Sequence, residues 1–131
     1  MYKSTNKELV YPELSYKLVG LLFDVYNSLG SGHKEKYYCN AIDKALVDAS
    51  IKFEKELFIP LYYKDKKVGQ YFIDFLVENK IVLEIKIGDR FPKRNIDQIF
   101  SYLKVSNLKL GILANFTSDG IKFKRILNLN S

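Results

Sequence analysis

The sequence predicts an α/β fold, a mixed central β-sheet flanked by helices, with elements in the order ααβββαββ. Three observations carry that reading. Apolar residues recur at three- and four-residue steps through the first fifty positions. From Ile51 the period changes to runs rich in β-branched and aromatic residues. After Pro92 a further helical repeat separates the central strands from a closing pair.

Taken in order, Leu14, Leu18, Leu21, Leu22, Val25 and Leu29 share one face of a helix expected from about Glu8 to Leu29, and Gly30-Ser31-Gly32 stops it. A second helix is expected from about Lys34 to Ala49. Its buried face is Tyr38, Ile42, Ala45, Leu46 and Ala49, and Glu35 stands in its first turn on the same side as Tyr38. Phe53, Leu57, Ile59 and Leu61, then Tyr71 through Val77, then Ile81 through Ile87, read as three strands. Lys64-Asp65-Lys66 with Gly69, and Glu78-Asn79-Lys80, are short enough to join them as hairpins. Ile96, Ile99, Phe100 and Leu103 recur at helical spacing after Pro92, a good first-turn residue, up to about Val105. Leu108 to Ala114 and Ile121 to Leu127 then close the sheet around Thr117-Ser118-Asp119-Gly120.

The chain of 131 residues falls within the size of one domain, expected to span residues 1–131. A hydrophobic fraction of 47% excludes a disordered chain. The net charge of +6 attracts polyanions such as nucleic acid or anionic lipid, although charge alone does not choose between them. Cys39 is the only cysteine, so no intrachain disulfide forms and a reducing compartment fits. The opening residues Met1 to Asn6 lack a signal peptide's apolar run, and no stretch approaches the roughly 18 apolar residues of a membrane span. A cytoplasmic location without membrane insertion is the expectation.

The chemistry gathers on the second hairpin. If Val77 and Ile81 are its last pair, antiparallel partners keep a constant sum of residue numbers, and Asp74 lies opposite Glu84. Alternation then projects Lys86 on the side of Glu84, with Ile73, Phe75, Leu83 and Ile85 on the other. Two carboxylates and an ammonium on one patch suit a hard cation such as Mg²⁺ or Mn²⁺, and with it phosphodiester hydrolysis. The same residues could equally form a solvated face of cross-strand ion pairs. A Glu-x-Lys triplet is weak by itself, since Glu78-Asn79-Lys80 is a second copy. The copy at Glu84-Ile85-Lys86 differs in lying inside an apolar strand, where charged side chains need a reason to be.

Gly32-His33-Lys34-Glu35-Lys36-Tyr37-Tyr38, preceded by Tyr26-Asn27-Ser28-Leu29-Gly30, resembles the motif that names the bacterial GxxExxY family of the PD-(D/E)XK nuclease superfamily. The likeness continues through Tyr71 to Val77, Val82 to Lys86 and Asp97 to Lys104, covering roughly Leu9 to Leu127. The resemblance implies a restriction-endonuclease-like core in which Asp74 and Glu84 bind metal and Glu35 supplies a further carboxylate. It also implies that Lys86 positions or activates the attacking water and that the main-chain carbonyl of Ile85 is a ligand. Gln98 and Tyr102, four apart on one helix face, look like the Gln-x-x-x-Tyr element of RecB-like nucleases, contacting substrate or supporting the metal site. Ile73 stands where many superfamily members carry proline.

The activity expected from this resemblance is Mg²⁺- or Mn²⁺-dependent cleavage of nucleic acid, DNA first, by direct attack of an activated water without a covalent intermediate. The rival expectation is a non-catalytic module that keeps the fold to bind nucleic acid or a protein. A homodimer is a further one, since so small a domain has limited surface for gripping a duplex. Arg90, Lys93 and Arg94 follow the third strand and read either as phosphate clamps or as a solvated charge cluster. His33 reads as an exposed histidine beside a helix start. Tyr38 reads as a packing residue whose hydroxyl reaches a site carboxylate, and Cys39 as buried filler. Gly69 and Gly88 read as turn and strand-end residues.

Overall fold

Pro12 opens the first helix, α1 (Pro12–Leu29), where its missing N–H costs nothing, and Gly30 ends it with φ 77°, donating its N–H to Tyr26 O. The computed structural model describes residues 10–129. The expected start at Glu8 lies outside them, while Val10 and Tyr11, inside them, are not helical. Leu18, Leu21, Leu22 and Val25 are buried, but Leu29, at the helix end, is 39% exposed. The second helix, α2 (Glu35–Asp48), buries Tyr38, Ile42 and Leu46 and leaves Ala49 exposed at its cap.

Five strands follow the expected order: β1 (Phe53–Tyr63), β2 (Lys66–Val77) and β3 (Ile81–Ile87), then helix α3 (Lys93–Ser106), β4 (Leu110–Thr117) and β5 (Gly120–Leu127). They form one sheet in the order β1-β2-β3-β4-β5. Only β3 and β4 are parallel, with α3 as the crossover between them, so the sheet is mixed. Two-residue connections suit the twist of a hairpin when both residues take positive φ. Lys64 and Asp65 do so between β1 and β2, with φ 49° and 68°.

The sheet divides the core in two. On one side α1 and α2 pack with Phe75, Val77, Ile81, Leu83, Ile85 and Phe116. On the other, Ile99 and Leu103 of α3 pack with Ile73, Val82 and Leu113. α3 lies so close to β4 that a Cβ at Gly111 would stand 2.5 Å from Ile99 Cγ2. Gly111→Ala is therefore expected to lower stability by about 1–3 kcal/mol, measurable by urea denaturation, because a packed helix must shift to admit the methyl. An unchanged denaturation midpoint would show that α3 yields freely.

The β1–β2 register shifts between Leu61 and Tyr62 near its far end, and beside the core period-two alternation fails at Glu56 and Asp74. Phe53 and Phe75 pack together in the α1/α2 core with ring centroids 5.9 Å apart, yet Leu57 and Ile73 belong to the α3 core. The β1–β2 register pairs Lys55 with Phe75 and Leu57 with Ile73, passing over Glu56 and Asp74. Glu56 has φ 55°, a left-handed residue that rotates the strand and exchanges its faces. The expectation that Ile73 shares a face with Phe75 is thus overturned.

Candidate active site

β2 and β3 form a ladder through Val77–Ile81, Leu76–Val82 and Phe75–Leu83, and there it stops. Asp74 and Glu84 are next in register, as the constant sum requires, but no backbone pair joins them. Their side chains bridge the gap instead. The Asp74 N–H donates to Glu84 Oε1 at 2.9 Å, and the Ile85 N–H donates to Asp74 Oδ2 at 2.7 Å. Each carboxylate thereby satisfies a strand N–H that the parting of the strands would leave orphaned. This reciprocal clasp is the correction to the simple cross-strand pair expected from the sequence.

Lys86 lies one step further along β3, with Nζ 4.0 Å from Glu84 Oε2 and 3.7 Å from Glu35 Oε2. Glu35 comes from the first turn of α2, so helix and sheet place two carboxylates on one lysine, with Asp74 clasped to Glu84 beside them. A cleft of about 550 Å³ opens beside them, lined by Glu35, Lys36, Cys39, Asn40, Lys55, Glu56, Asp74 and Phe75. Of its walls, Lys36, Asn40, Lys55 and Glu56 carried no signal in the sequence. They are ordinary surface residue types that the α2–β1 packing brings to one mouth, and Lys55 is tied there by an ion pair with Asp43.

The electrostatics follow from burial and from an excess of acid. Glu84, only 7% exposed, is pushed up to about 8, first by burial and next by the neighbouring Asp74 charge. Asp74 is raised chiefly by burial, against the pull of the Ile85 N–H. Glu35 is raised by burial more than the Lys86 ammonium lowers it. Burial and the surrounding carboxylates also raise the Cys39 thiol, which keeps it protonated and unsuited to act as a nucleophile.

One consequence is a pH dependence with an unusual sign. A carboxyl whose folded pKa is raised stabilises the fold fully below its unfolded value near 4.5, and that contribution is lost as pH rises toward about 8. In metal-free buffer, stability is expected to fall between these limits by an amount on the order of a few kcal/mol. Glu84→Gln should flatten the curve when both proteins are denatured in urea at pH 5 and pH 8. Parallel curves for the two would refute this origin.

The donor set fits a hard divalent cation. Asp74 and Glu84 each use one oxygen on a backbone N–H, and their remaining oxygens, with those of Glu35, are the ligand type that Mg²⁺ and Mn²⁺ prefer. Among the described residues no three His, Cys, Asp or Glu side chains are gathered into a ready-made cage. The fit is therefore to an ion that keeps several of its waters, with Asp74 and Glu84 as the principal carboxylates.

The other sequence candidates lie elsewhere. Lys93, Arg94 and Gln98 line a groove of about 480 Å³ with Leu61, Tyr71, Asp97 and Ser101. Lys93 is paired there with Asp97 at 2.7 Å, and the Gln98 carbonyl accepts a bond from the Tyr71 hydroxyl. Tyr102 packs against the α3 core. Arg90 is exposed, its carbonyl held by the Asn115 side-chain amide. Tyr38 does not reach a carboxylate. Its hydroxyl donates to Gly30 O at 2.6 Å and its ring lies 4.3 Å from that of Phe116, so it ties the α1–α2 loop to the core. His33 is exposed, with Nε2 2.8 Å from Leu29 O. Cys39 is half-buried at the cleft rather than fully packed. No described helix is long and apolar enough to cross a membrane.

Comparison with known proteins agrees with this architecture. No curated protein matches the chain. Among solved structures, the crystal structure of SSO0001 is similar at 21% identity and a TM-score of 0.52, over 95% of this chain and 60% of that one. That likeness is one of fold, and the chain spans 60% of the length of its neighbour. The sequence profile of the PD-(D/E)XK nuclease superfamily, whose members are generally metal-dependent nucleases, matches residues 12–126. With the profile covering nearly the whole chain and the mixed sheet in the expected order, the chain belongs to the PD-(D/E)XK nuclease superfamily.

Proposed function

We propose that this chain is a metal-dependent nuclease of the GxxExxY type that hydrolyses phosphodiester bonds, DNA first, in the cytoplasm. The observation that supports this most is the meeting of Glu35, Asp74, Glu84 and Lys86 where β2 and β3 part. In this reading Asp74 and Glu84 hold Mg²⁺ or Mn²⁺, with Glu35 and the Ile85 carbonyl as further ligands. When bound, such an ion lowers the pKa of a water and offsets charge developing on the phosphate. Lys86, anchored between Glu84 and Glu35, orients the attacking water and donates to a phosphate oxygen. Gln98, Tyr102, Arg90, Lys93 and Arg94 meet the nucleic acid away from the scissile bond. The backbone bonds to Asp74 and Glu84 fix both carboxylates before substrate arrives, so little reorganisation remains.

The test is cleavage of end-labelled single- and double-stranded DNA and RNA by purified protein with Mg²⁺, Mn²⁺ or EDTA. Products with either metal and none with EDTA are expected. Binding without cleavage under every metal would replace this reading with a non-catalytic nucleic-acid module.

A further inference from the structure

β1 and β2 outlast the sheet. β2 pairs with β3 only from Phe75 to Val77, but its pairing with β1 continues to Lys66, so a two-stranded arm runs on past Asp74. One side of the arm is accounted for: Leu57, Ile59, Tyr71 and Ile73 pack against the α3 core. Alternation turns Phe58 and Phe72 to the other side, where α2 and the acidic cleft lie. These two phenylalanines are direct cross-strand partners, with ring centroids 5.6 Å apart and exposures of 48% and 51%. Phe72 stands two residues from Asp74.

The arm is also basic. Lys67 Nζ sits 4.8 Å above the Phe58 ring and Lys64 Nζ 5.2 Å above that of Tyr63. Lys66 is exposed beside them, and Tyr62 and Tyr63 are each 62% exposed. Flat apolar rings interleaved with lysines match the two faces of a nucleic-acid strand, bases and phosphates.

We propose that the β1–β2 arm is a stacking platform for single-stranded nucleic acid, with bases on Phe58 and Phe72 and phosphates on Lys64, Lys66 and Lys67, leading the strand toward Asp74. This deepens the nuclease reading by naming its substrate as single-stranded. Paired bases in a duplex keep their faces stacked on one another and cannot lie on these rings. A second copy of the chain is the poorer occupant. Its tip would bring Lys64, Lys66 and Lys67 against their own copies, and Pro60 interrupts the donor row of edge strand β1.

The experiment is binding of fluorescent oligo-dT, oligo-rU and a blunt DNA duplex in EDTA, where cleavage cannot enter the readout. Wild type should prefer the single strands, and either sugar supports the platform. Phe58→Ala and Phe72→Ala should each weaken that binding by about tenfold, while Phe→Tyr at the same positions restores it. Lys67→Glu should weaken it and lessen its salt dependence. The chain has no tryptophan, so Phe72→Trp supplies a single reporter whose emission an unlabelled oligonucleotide should quench. Melting temperatures of all variants control for folding.

Unchanged binding in the alanine variants, indole emission in Phe72→Trp that the oligonucleotide leaves unquenched, equal affinity for the duplex, or a wild-type dimer that the variants dissociate would overturn the proposal. Ring-dependent binding without cleavage would remove the nuclease reading and keep the platform. Cleavage indifferent to the rings would do the reverse.

Discussion

Glu84→Gln and Asp74→Asn are each expected to lower metal-dependent cleavage by at least about 10²–10³-fold, with the fold retained. Both substitutions keep an acceptor for the backbone N–H that the carboxylate now serves, Asp74 N–H in one case and Ile85 N–H in the other. Both remove negative charge from the metal-binding candidates. Glu84→Gln should also raise stability at pH 8, because it deletes a buried charge whose pKa of about 8 marks the cost of ionising it. Gain of stability with loss of activity is the signature of a residue retained for chemistry. Lys86→Met should fall by a comparable factor and release Glu35 and Glu84 from their shared partner. Steady-state cleavage beside urea denaturation of the same preparations decides the matter. Variants that cut as fast as wild type would remove these residues from the mechanism.

The largest effect on stability is expected at Phe116. Its buried ring lies 4.3 Å from Tyr38 and 5.9 Å from Tyr26, joining β4 to both N-terminal helices. Phe116→Ala should cost about 3–5 kcal/mol, because the cavity opens between a helix pair and a sheet that cannot close on it. For a chain of this length that amounts to a fall in Tm on the order of 10–20 °C. The consequence reaches the site, since Tyr38 shares α2 with Glu35 and its hydroxyl holds Gly30, just before that helix. Loosening α2 should therefore weaken metal binding more than it weakens the clasp between Asp74 and Glu84. A melting temperature within a few degrees of wild type would show that the α1/α2 core tolerates the void.

Much of the fold was legible in the sequence. The leucine repeat of α1, the change of period at Ile51 and Pro92 at the third helix gave the element order, and Val77 with Ile81 gave the register of the hairpin. These are local matters of period, capping and turn chemistry, which a chain carries in its nearest neighbours. So too was the nearness of Asp74, Glu84 and Lys86, because register alone makes them neighbours.

What only the tertiary structure decided begins at Asp74. The left-handed Glu56 and the parting of β2 from β3 break the alternation that sequence reading must assume, so Ile73 and Phe75 part company and the carboxylates take the place of ladder bonds. No period reports a single rotated residue, whose conformation is fixed by two competing cores on opposite sides of the sheet. The reach of Glu35 to Lys86, the placing of Lys36 and Lys55 at one cleft, and the turning of Tyr38 away from it all depend on how α2 lies across β3. The sequence by itself determined which groups could do chemistry; the packing of helix on sheet decided which of them meet, because that distance is set by side chains far from them along the chain.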